Sequence, residues 1–121
     1  MKVQTSRKSG FTLVEIMIVV AIIGLLAAIA IPNFVKARAT AQKNSCIANL
    51  KQIDGAVQQW AVENKKVASD TYSMTDTTLL AYLKGSTLPG GGTCPGGGTY
   101  SAGANVSGSP ICSLSGSGHT L

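Results

Sequence analysis

A cut between Gly10 and Phe11 would leave a positively charged amine four residues before Glu15, the one carboxylate in an otherwise unbroken apolar run that reaches Pro32. A charge in hydrocarbon costs on the order of 3 kcal/mol at mid-bilayer, so an intramembrane carboxylate needs a partner. The Phe11 amine of a neighbouring chain is the natural one. Apolar helices that pack side by side do not fix their own stagger, whereas a buried Glu15 is satisfied at one stagger and stranded at the others, at a cost of several kcal/mol (roughly 3–5).

Elsewhere the chemistry-bearing residues are sparse. Cys94 and Cys112 lie in a glycine-rich tail with little apolar surface, where a bridge would contribute roughly 3 kcal/mol by loop closure. They are expected to form a disulfide, with Cys46 left as a buried thiol on a packed helix face. The chain has no C-x-x-C and no histidine pair, so zinc is not expected. His119, the single histidine, falls in a tail expected to be mobile and receives no role as base or ligand. The triple glycines at 90–92 and 96–98 lack the following lysine of a phosphate cradle and read as turns. With no nucleophile triad, paired-carboxylate site or cofactor fingerprint, the expectation is a protein that is not an enzyme and has no cofactor and no metal.

The elements that must carry these residues follow from periodicity. As a helix, Phe11 to Pro32 rises roughly 33 Å, enough for a hydrocarbon layer. A secretory signal peptide would explain the basic start and the Ala28-Ile29-Ala30 site but not Glu15. A plain anchor explains the length and again not Glu15. After Pro32 no proline interrupts the chain to Lys65, and Cys46, Leu50, Ile53, Val57 and Trp60 recur at helical spacing. One helix from Phe11 to near Lys65 is expected, membrane-spanning in its first half and amphipathic in its second, with Gly55 a weak point. Beyond it, Asp76 should cap a short helix carrying Leu79, Leu80 and Leu83 and ending at Gly85. Residues 99–106 and 111–114 should form an antiparallel pair across 107–110. The fold class is α+β: a long N-terminal helix packed on a small head with a short helix and a short antiparallel sheet.

Lys8-Ser9-Gly10, Phe11-Thr12-Leu13-Val14-Glu15 and the following apolar run with Gly24 and Pro32 resemble the N-terminal segment of type IV pilins and of type II secretion pseudopilins. The resemblance covers about the first third of the chain and rests on the short basic leader, glycine before phenylalanine, glutamate fifth after the cut, and proline near the end of the run. It implies cleavage after Gly10 by a prepilin peptidase, N-methylation of Phe11, and insertion in the bacterial inner membrane as a precursor. It further implies assembly by pilus or secretion machinery into a homo-oligomeric helical filament outside the cytoplasm. The methylated amine would remain positive, as pairing with Glu15 requires. The segment bracketed by Gly24 and Pro32 is the one that loses helical hydrogen bonds in such filaments; a mere kink is the alternative. The organisation implied is a leader over 1–10, a membrane and filament-core helix over 11–32, its amphipathic continuation over 33–66, and a disulfide-stapled head over 67–121.

Three other roles compete with a pilus subunit. A major pseudopilin would carry a tryptophan-glycine pair and an acidic calcium loop, neither of which this sequence has. A DNA-uptake pilin has the same N-terminal features, and a monomeric single-pass binding protein would leave Glu15 and the Gly10-Phe11 junction without purpose. The formal charge of +5 gives no support for nucleic acid: once Lys2, Arg7 and Lys8 leave with the leader, 7 basic and 5 acidic side chains remain.

Overall fold

Thr12 and Glu15 start the long helix by capping each other. The Glu15 carboxylate accepts from the Thr12 N–H at 2.8 Å, and the Thr12 hydroxyl accepts from the Glu15 N–H at 3.3 Å. This reciprocal pairing satisfies two of the amide donors that a helix start otherwise leaves open. In the computed structural model, which describes Lys2 and residues 9–121, helix α1 spans Leu13–Glu63, two residues short of the expectation at each end. Arg7 and Lys8 of the expected leader lie outside the described residues.

The helix ends in a double hydrogen-bonded reversal. Lys66 N–H donates to the Ala61 carbonyl at 2.8 Å and Lys65 N–H to the Val62 carbonyl at 3.3 Å, with Lys65 in the left-handed region at φ 53°. This is the arrangement that usually places glycine where Lys65 stands, and it satisfies two carbonyls of the last turn.

The chain divides into a unit up to Lys36 and a second unit over Ala37–Leu121, and α1 contributes to both. In the first unit the large apolar side chains are exposed all along the helix, from Phe11 to Val35. In the second, Cys46, Leu50, Ile53, Val57 and Trp60 are buried as the spacing predicted, joined by Ala56 and Ala61. The sequence pattern thus changes from apolar all round to a single apolar stripe, and burial follows it.

The rest of the second unit packs on that stripe. Helix α2 (Thr77–Leu80) is capped by Asp76, whose carboxylate accepts from the Thr78 N–H at 2.9 Å. Leu79 and Leu83 are buried in the core, while Leu80 packs only partly against it. Strands β1 (Tyr100–Ser101) and β2 (Ile111–Cys112) pair antiparallel, Tyr100 opposite Cys112 and Ser101 opposite Ile111. The expected sheet is therefore present but shorter. Its missing part has another partner: Val106 N–H donates to the Asp70 carbonyl at 2.8 Å and Ser107 N–H to the Ala68 carbonyl at 3.1 Å. Side chains of α1 hold the tail from the other side, Asn49 Nδ2 donating to the Tyr100 hydroxyl and Gln58 Nε2 to the Val106 carbonyl, each at 2.9 Å. Trp60 Nε1 donates to Thr78 Oγ1 at 2.9 Å, so the indole both fills the core and satisfies its polar edge.

Candidate functional site

At the N-terminus, Gly10 and Phe11 are exposed, and among the described residues a β-carbon on Gly10 would touch nothing within 4 Å, so these residues leave the junction uncovered. Glu15 is the only acidic residue before Asp54. One of its oxygens is engaged by Thr12 N–H within the chain. A carboxylate offers about four lone-pair sites, so this bond leaves capacity for an amine from elsewhere. The Thr12-x-x-Glu15 spacing is that of a capping pair, and the cap leaves room for the charge pairing expected of Glu15.

Pro32 lies inside α1 and withholds an amide that the preceding turn would use. Just after it, Asn33 Nδ2 donates to the Ile29 carbonyl at 3.0 Å. Gly24 is helical here, and an added β-carbon would meet nothing within 4 Å. Helix α1 is long and apolar enough to cross a membrane, and none of its apolar window is buried within the structure.

In the head, the structure brings together residues that the sequence keeps far apart. Cys46, on α1, faces Cys94, Cys112 and His119, and the ligand-capable atoms of all four lie within 4.8 Å of one another. All four residues are buried and the three cysteines are free thiols. His119 therefore does not occupy the mobile position expected for it: Nδ1 lies 3.3 Å from Cys94 Sγ. Cys94 and Cys112, the pair expected to form a staple, each accept an amide two residues on. Gly96 N–H reaches Cys94 Sγ at 3.3 Å and Leu114 N–H reaches Cys112 Sγ at 3.5 Å.

The glycine run around Cys94 makes this packing feasible. A β-carbon on Gly96 would come within 2.9 Å of the His119 ring, and one on Gly98 within 2.7 Å of Ser113 Oγ and 3.1 Å of Cys112 Sγ. The turn reading of Pro95-Gly-Gly-Gly-Thr99 holds, with Gly97 N–H donating to the Cys94 carbonyl at 2.8 Å and Cys94 N–H to the Gly98 carbonyl at 2.7 Å. The turn also clears space around two sulfurs.

Crowded thiols do not ionise independently. Burial, then the neighbouring Cys94 and Cys112 thiols, push Cys46 up to about 12, against a smaller opposing pull from Tyr100. Burial also raises Cys94, but the contacts from Cys46, the Gly96 N–H, His119 and Cys112 outweigh it and bring that thiol down to about 7. Cys94, which gathers the donors, thus carries negative charge at a lower pH than Cys46.

A capped apolar helix leading into a small α+β head built on one stripe of that helix defines a pilin-like architecture. Residues 5–31 match the family described as the prokaryotic N-terminal methylation motif. The chain is 50% identical over 60 residues to the type IV major pilin protein PilA of Myxococcus xanthus, covering 50% of this chain and 27% of that protein. It is 31% identical over 85 residues to the type II secretion system core protein G of Escherichia coli, covering 70% and 55% of the two chains. It is 40% identical over 81 residues to a fimbrial protein of Pseudomonas aeruginosa, covering 60% and 53%. The chain thus spans from about a quarter to about half the length of these relatives. No solved structure matches it. The resemblance read from the N-terminal residues is confirmed, and the relatives are pilin, fimbrial and secretion-system proteins, in line with a non-enzymatic role.

Proposed function

We propose that this protein is the structural subunit of a type IV pilus-like filament, assembled from a membrane-inserted precursor that is cut after Gly10 and methylated on Phe11. One observation carries the reading: a helix exposed on every apolar face from Phe11 to Val35, with a lone carboxylate at its start beside an uncovered Gly10-Phe11 junction. Such a surface requires a cover, which lipid supplies before assembly and the helices of neighbouring subunits supply afterwards. The precursor resides in the bacterial inner membrane with its head outside the cytoplasm, and a prepilin peptidase and an assembly machine act on it. The leader is 1–10, the filament core 11–32, its continuation 33–66 and the head 67–121. Between Gly24 and Pro32 the helix loosens on assembly.

The mass of the exported protein tests this: its N-terminus should be methylated Phe11, and electron microscopy of surface fractions should show filaments containing it. Gly10 replaced by a bulky residue should leave precursor in the membrane. An intact Met1, or an N-terminus at Asn33 or later, overturns the proposal. The similarity to core protein G, which extends over 70% of this chain, favours a pseudopilin as the second reading. A deletion strain that keeps its surface filaments but loses protein secretion would select it.

A further inference from the structure

We propose that Cys46, Cys94, Cys112 and His119 bind one zinc ion as a tetrahedral structural site that fastens the tail of the head to helix α1. The observation is the convergence itself: four ligand atoms within 4.8 Å of one another, all on buried residues, drawn from α1 and from three separate points of the tail. Tetrahedral zinc with bonds of about 2.3 Å to sulfur and about 2.0–2.1 Å to nitrogen sets ligand atoms roughly 3.6–3.8 Å apart. The observed spread, with 3.3 Å between Cys94 Sγ and His119 Nδ1, matches that geometry within small side-chain adjustments.

Two further features point the same way. Cys94 and Cys112 each receive a backbone amide from two residues on, an outer-shell hydrogen bond of the kind that steadies metal-bound sulfur. Gly96 and Gly98 stand where any side chain would strike the His119 ring, the Cys112 sulfur or their neighbours, so the turn is shaped to let four ligands meet. A disulfide would employ two of the sulfurs and leave the third, with the imidazole, unexplained. The donor set of three thiols and one imidazole, with no carboxylate, selects zinc over calcium or magnesium, which take oxygen ligands. Binding displaces the thiol protons and requires neutral His119 to coordinate through Nδ1 with its proton on Nε2. A head with a small core gains from such a fastening what others obtain from disulfides.

The test uses the full-length protein purified in detergent without chelator and under reductant-free, oxygen-limited conditions. Metal analysis should find one zinc per chain, and alkylation of the native protein should spare all three cysteines until a chelator is added. The chelated protein titrated with Co2+ should develop the intense visible absorption of a tetrahedral thiolate site, bleached by Zn2+. His119→Ala should weaken Co2+ binding at least about tenfold, and H119C should restore a tetrahedral spectrum with stronger sulfur-to-cobalt absorption. A peptide map linking any two of the cysteines in the isolated protein overturns the proposal. So does a protein with three alkylatable thiols, no bound zinc and no cobalt spectrum. If a cysteine variant fails to fold, the metal count on the unaltered protein and the two His119 variants still decide.

Discussion

Glu15 caps its own helix and is proposed to pair with a neighbour's amine, and one pair of substitutions separates the two. In the subunit it caps α1 through the 2.8 Å bond from Thr12 N–H, with a 3.3 Å bond returned from Glu15 N–H to the Thr12 hydroxyl. Between subunits, the proposed role is to neutralise the Phe11 amine. Glutamine preserves the first job, because an amide oxygen accepts the same bond and glutamine occupies this position of a capping pair as readily as glutamate. It abolishes the second. Losing the cap costs about 1 kcal/mol, and the other hydrogen bonds of the 51-residue helix remain. Stranding a buried amine costs about 3–5 kcal/mol, at least a hundredfold in the assembly equilibrium. Glu15→Gln should therefore assemble almost as poorly as Glu15→Val, the two differing by about the cap energy, within roughly tenfold. The assay is sheared surface filament measured against total processed subunit, with mass spectrometry confirming that each variant is inserted and cut. If Glu15→Gln makes filaments at normal abundance while Glu15→Val does not, the cap is what matters and the charge-register argument is wrong.

Gly24→Ala should insert and mature normally, since the new methyl meets nothing in the subunit, but it stiffens the helix by about 1 kcal/mol and should lower filament yield; unchanged yield would refute a loosening step there. Leu50→Ala, at a fully buried position of the stripe, should destabilise the head by about 2–5 kcal/mol in a thermal or denaturant melt, and a smaller loss would show that α1 is not the core's main wall. The Tyr72 phenol is raised chiefly by burial, with Asp54 adding to it, against the Gly103 N–H that donates to its oxygen and pulls the other way. Ionisation near pH 10 in the unfolded chain and only higher in the folded one means that the contribution of Tyr72 to head stability is level below about pH 10 and falls as pH rises beyond it. Tyr72→Phe should flatten that fall, which alkaline melting curves would reveal.

The helix and its stripe were legible because both are periodic signals within one segment, and every residue of the predicted stripe from Cys46 to Trp60 is buried. Asp76 was legible as a cap for the same local reason. The sheet was overextended because propensity cannot see competitors: the Val106 and Ser107 amides are taken by the Asp70 and Ala68 carbonyls. The reversal at Lys65, just past the helix end at Glu63, carries no glycine to mark it. The cluster around Cys46 was hidden more deeply. Its ligands lie at positions 46, 94, 112 and 119, a spacing that matches no short metal motif, and only the tertiary return of the tail to α1 makes them neighbours.

The bonds from Asn49 to Tyr100 and from Gln58 to Val106 span 51 and 48 residues of chain. Contacts that distant are slow to find, because the intervening loop must close before any of them forms, whereas a helix winds up locally in about a microsecond. The order of events in the head follows. Helix α1 is expected to be a finished surface while the tail is still searching, with docking of residues beyond Asp70 the later and slower event. A subunit caught early would be a helix trailing an undocked ribbon, its stripe uncovered and prone to sticking to its fellows. A fastening near Cys46, at the far end of the stripe from Trp60, would act last of all and convert a slow arrival into a durable one.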